Sequence, residues 1–118
     1  MTIEASIFSA ISGLCSNRVF PDVAPYGTTL PYITYTQVGG EPVSYLERTV
    51  PSIQNGRFQF NVWGTTRASC SALMAQIETA LVTATAFQAT PIGAPTSVYD
   101  SDMALYGSMC DYSIWSTR

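Results

Sequence analysis

The sequence predicts an α+β domain: an antiparallel or mixed sheet of about four strands, with two helices packed on one of its faces. Three observations lead there. Phe58-Gln59-Phe60-Asn61-Val62 alternates apolar with polar residues, the period of a strand with one buried face. After Gly64 the period changes, and Cys70, Leu73, Met74, Ile77 and Leu81 recur every three or four residues, as on the buried side of a helix. Short segments rich in β-branched and aromatic residues, bounded by Pro and Gly, fill much of the remaining chain. Grouped strands with segregated helices belong to the α+β class. At 118 residues, the chain is expected to form one domain over 1–118 with one core.

Taken in order, Ile3 to Cys15 reads as a helix with Thr2 as its N-cap and Glu4 in the first turn, where a carboxylate suits the helix dipole. Ile3, Ile7, Ile11 and Leu14 share a face, which Phe8 and Cys15 widen. Arg18 to Leu30 holds Pro21, Pro25 and Gly27 and reads as a loop. Pro31 to Val38 reads as a strand, with its proline at the first position and Gly39-Gly40 closing it.

Residues 39–56 then form an 18-residue connection, where adjacent antiparallel strands need only about two to five residues. It reads as an extended arm with a task. Tyr45, Leu46, Val50 and Ile53 have nothing within the loop to cover them, and with Arg48 they are the candidate contacts to a neighbouring subunit or partner.

The second helix is expected from Arg67 to about Ala84, capped by Thr65 or Thr66. Arg67, a further candidate interface residue, stands at a helix N-terminus where a cation is unfavourable, so a carboxylate is expected beside it. Phe87-Gln88-Ala89 opens a short strand, Ser97 to Asp100 forms another, and Tyr106 to Trp115 forms the last, with Cys110, Tyr112 and Ile114 on one face.

Composition removes most chemistry. Histidine is absent, and all five basic residues are arginines, Arg18, Arg48, Arg57, Arg67 and Arg118. Ser-His-Asp, Cys-His, histidine-metal and lysine schemes are therefore excluded. Asp100, Asp102 and Asp111 are the one acidic cluster that invites a metal-dependent reading, but their spacing fits turn and strand positions better than any cation loop. Cys15, Cys70 and Cys110 lack Cys-x-x-Cys spacing and read as reduced core thiols. No metal, cofactor or catalytic residue is called for.

A net charge of −3 argues against a grip on nucleic-acid phosphates. No apolar run of about 18 residues is present to span a membrane, and the N-terminus lacks a secretion signal, so assembly in the cytoplasm is expected. Only 11% of residues are charged, against an average of about 25%, and such a surface is easily buried against partners.

Several segments carry a resemblance. Arg18-Val19-Phe20-Pro21, Ala24-Pro25, Leu30-Pro31-Tyr32-Ile33-Thr34-Tyr35, Phe58 to Gly64, Thr66-Arg67 with its helix, and Asp111 to Trp115 together resemble the small tail-completion proteins of long-tailed bacteriophages and prophages, the lambda-type tail terminators and tail-to-head joining proteins. The resemblance implies a structural protein of the virion tail or neck. It implies a homohexameric ring on the finished tail tube, which stops polymerisation and meets the head-completion (stopper) protein. Its partners are then its own copies, the major tail tube protein and the stopper, with DNA passing through the channel unbound. The alternatives from the residues are a neck adaptor on the head connector or a general protein-binding module using a tyrosine-rich sheet.

Overall fold

The computed structural model describes residues 2–43, 50 and 52–117. Helix α1 spans Ile3–Ile11 and continues as a 3-10 turn over Ser12–Cys15. Strands β1 (Val19–Pro21), β2 (Tyr32–Gln37) and β3 (Ile53–Gly64) follow, then helix α2 (Arg67–Val82), then β4 (Gln88–Pro91), β5 (Thr96–Asp100) and β6 (Leu105–Thr117). The class is α+β as expected, with six strands in place of about four.

The sheet runs β1-β2-β3-β6-β4, and β5 also pairs with β6. Its axis is the antiparallel β3–β6 ladder, in register from Ile53↔Thr117 to Gly64↔Tyr106. Strand β2 adds to β3, while β4 and β5 share the outer edge of β6 at successive positions along it. Strand β1 runs parallel to β2 within the segment read from sequence as loop. Its three residues, ending on a proline, are too short for a periodic signal, and long-range pairing supplies what local propensity does not.

One register defines the core. Phe58, Phe60 and Val62 pair with Tyr112, Cys110 and Ser108, and with Ile33, Tyr35 and Ile114 they turn toward the helices and are buried. Phe60 meets Tyr112 edge-on at 5.6 Å between ring centres and Tyr35 at 6.3 Å, the tilted geometries that aromatic quadrupoles favour. Helix α2 lays Cys70, Leu73, Met74, Ile77 and Leu81 on this layer, and α1 adds Ile7 and Ile11.

Both helix starts are capped as read: the Thr2 hydroxyl accepts from the Ala5 amide, and the Thr66 hydroxyl accepts from the Ser69 amide. At Gly64 an added Cβ would lie 3.0 Å from the Cys70 sulfur, so the glycine lets the first turn of α2 close onto the strand it has just left.

The arm is shorter than 39–56. Val38 and Gly39 continue to bond Arg57 through main-chain contacts of 2.7 and 2.8 Å, and the Glu41 amide donates to Asn55 Oδ1. Gln54-Asn55-Gly56, read as loop, lie within β3 because Ser116, Trp115 and Ile114 of β6 pair with them.

Cys15, Cys70 and Cys110 are free thiols in the core, as read. Burial raises each above its ordinary value of 9.0 and likewise raises Tyr112 above 10.0. These groups are neutral when protonated, so raised folded values leave stability intact at low pH and remove it as pH rises. Unfolding free energy is expected to stay level from pH 6 to 8 and to fall above about pH 9, where the unfolded chain ionises and the core resists. Urea titrations across that range check it.

Candidate interaction surface

The strand alternation that fills the core also builds the opposite face, which no helix among the described residues covers. Trp63, Asn61, Gln59 and Arg57 of β3 stand there beside Gly107, Met109, Asp111 and Trp115 of β6, with Tyr32 of β2 and Val98 of β5. Tyr32, Trp63, Val98, Met109 and Trp115 are half-buried there. Arg57 Nε donates to Asp111 Oδ2 at 2.9 Å across the ladder, so the two charges in the middle of this face cancel.

Trp63 lies directly over Gly107. A Cβ there would sit 2.8 Å from the indole and 2.7 Å from Val98 Cγ2, so only glycine leaves room for the ring. An aromatic side chain shielding a cross-strand glycine is a known means of pinning register.

Trp63 floors a groove at the end of the sheet where β3 finishes. The loop after β1 and the turn before β6 form its walls, with Val23, Tyr32, Met103 and Leu105 lining it and Asp22 and Asp100 at its side. Val23, Tyr26 and Met103 are 76%, 97% and 57% exposed. An apolar cluster so open to water is the mark of a surface that meets another molecule.

The groove was not read from the sequence, although the signal was there. Val23, Tyr26 and Leu30 are apolar residues on a Pro/Gly-bounded loop, the feature that singled out the arm.

Of the predicted contact residues, Tyr45, Leu46 and Arg48 lie outside the described residues. Val50 is exposed, and Ile53 is the half-exposed first residue of β3, facing Thr117. Arg67 turns into its own chain. Its guanidinium donates to the main-chain carbonyls of Val98 (2.7 Å) and Gly107 and lies 5.5 Å from the centre of the Tyr106 ring. Two carbonyls thus take the place of the expected carboxylate. Val98 and Gly107 are register partners, so one planar fork clamps β5 to β6 at the start of α2.

Asp111 is kept apart from Asp100 and Asp102, which share one turn. Asp100 Oδ1 accepts from the Asp102 and Met103 amides as a turn residue, and Asp111 is held by Arg57. Asp100 pairs with Leu105, and six further residues of β6, about 20 Å at strand rise, lead to Asp111. Among the described residues no cluster of three metal-ligating side chains is found, and no helix is long and apolar enough to cross a membrane.

A family model described as Tail completion protein gp17 matches residues 7–117. A search of curated proteins finds no match.

Two substitutions test how the groove is held. Gly107→Ala is expected to displace Trp63, cost about 1–3 kcal/mol by overpacking and shift the tryptophan emission. Arg67→Lys, which cannot bridge two carbonyls with a planar fork, is expected to cost about 1–2 kcal/mol. Urea denaturation followed by fluorescence measures both, and unchanged midpoints would contradict the clamp.

Proposed function

The chain belongs to the tail completion protein gp17 family, a structural component of the phage tail, and from that premise we propose that it closes into a ring on the end of the tail tube. The ring, a homohexamer in this reading, ends tube polymerisation and offers its outer surface to the head-completion protein, so joining tail to head. The family match across residues 7–117 carries the reading.

The geometry supports it. An uncovered sheet face with half-buried aromatic residues and a neutralised centre is suited to burial against other protein. The edge strands are short: β1 has three residues ending on Pro21, β4 has four ending on Pro91, and β5 has five. Such edges discourage open-ended strand addition, which favours assembly through faces. Arg18, Arg57 and Arg67 are each engaged within the chain, on the Pro31 carbonyl, on Asp111 and on the Val98 and Gly107 carbonyls. With acidic side chains in excess, DNA passing such a ring meets no cluster of arginines among the described residues to hold its phosphates.

The test is light scattering and electron microscopy of the purified protein, alone and with tubes grown from the cognate major tail protein. Rings at tube ends and arrested elongation are expected. A monomer that leaves tube growth unchanged would overturn the terminator role and favour a neck adaptor bound to the head connector.

A further inference from the structure

Resting on the ring reading above, we propose that the groove over Trp63 is the socket for the arm of the neighbouring copy. Residues 44–49 of one subunit seat Tyr45 and Leu46 on the apolar lining and set Arg48 against Asp22 and Asp100 of the next.

Chain length rules out the chain's own arm as the occupant. The arm starts from the far end of the sheet, where Val43 lies beside Gln54 and Asn55 around a shared hollow and the Glu41 amide bonds Asn55 at 2.8 Å. The groove floor, Trp63, lies ten residues along β3 from Ile53, about 33 Å at strand rise. Arg48 is five residues from both Val43 and Ile53, which limits its reach to about 17 Å from either anchor even if fully extended. An arm so tethered cannot enter its own groove.

Chemistry matches the two surfaces. The groove combines apolar lining with the carboxylates of Asp22 and Asp100. Residues 44–49 combine Tyr45 and Leu46 with Arg48. Three of the five arginines are engaged within the chain, and the other two, Arg48 and Arg118, lie outside the described residues. Arginine is suited to such a seat because it brings a flat apolar face and a carboxylate-matching fork together.

The symmetry follows. The arm's anchors, Val43 and Ile53, and the socket lie at opposite ends of one subunit, so an arm-to-socket contact is heterologous, head to tail, and heterologous contacts generate closed rings when the rotation permits.

The experiment uses the full chain with single introduced cysteines, Tyr45→Cys in one preparation and Met103→Cys, at an exposed position, in another, and a short bis-maleimide. The native thiols are buried and protonated, and do not compete. Mixing the two variants is expected to give a covalent dimer that neither forms alone, and the double variant a ladder up to the complete ring. Tyr26→Cys, at a position 97% exposed, is a second socket site should Met103→Cys fail to fold, and Val82→Cys on α2 is the control expected to stay unlinked. A ring of full mass whose arm links to position 82, or to neither socket site, overturns the socket and leaves the ring reading standing. A monomer with no links overturns both.

Discussion

The pairing of β3 with β6 is the constraint on which the rest of the molecule depends. Twelve successive residue pairs join these strands from Ile53↔Thr117 to Gly64↔Tyr106, and β2, β4, β5 and α2 attach to one or both. Because strand side chains alternate, slipping this ladder by one residue would send Phe58, Phe60 and Val62 to the outer face. The cost of moving those aromatic and branched side chains from core to water fixes the register. The same register fixes what faces out, so Trp63, Met109 and Trp115 are as strictly placed as the core.

That outward face follows from having both helices on one side of the sheet. Two helices cover one side of a six-stranded sheet, and the described residues form no third layer on the other. The sequence meets this exposure with few charges, and it sets Arg57 against Asp111 where the ladder is longest. An exposed ion pair of this kind adds little to stability. Its larger consequence is electrostatic: burying the middle of the face against protein leaves neither Arg57 nor Asp111 as a lone charge, the costly case in a low-dielectric interface.

Much of this was legible in the sequence, because periodic segments announce themselves. The alternation around Phe60, the helical spacing from Cys70 to Leu81, the Thr2 and Thr66 caps and the face of Cys110, Tyr112 and Ile114 all follow from local pattern. What escaped depends on distant partners. Strand β1 exists because β2 lies beside it, and the first four residues of β3 are strand because β6 extends that far. Likewise, nothing local to Arg67 tells that Val98 and Gly107, some thirty and forty residues away, present their carbonyls to it. The groove escaped for the same reason: its loop and its turn lie more than seventy residues apart in sequence and meet only across the sheet.

The groove is also held from within. Arg67, at the start of α2, grips the carbonyls of Val98 and Gly107, and Gly107 lies beneath Trp63, whose indole is the groove floor. On one side of the sheet, therefore, a guanidinium sets the backbone that an aromatic ring covers on the other. A surface fixed in this way gives up little conformational freedom on binding, so more of the contact energy survives as affinity. Rigidity matters further for a closed ring, in which every contact repeats one rotation and a small error accumulates around the circle. In the ring proposed above, a groove anchored through the sheet to a helix start would fix that rotation by the fold itself, whereas a groove built from loops alone would let it drift. The charge-unfavourable position of Arg67 at a helix N-terminus is in this light a small cost, offset by joining the core side of the sheet to its outer side.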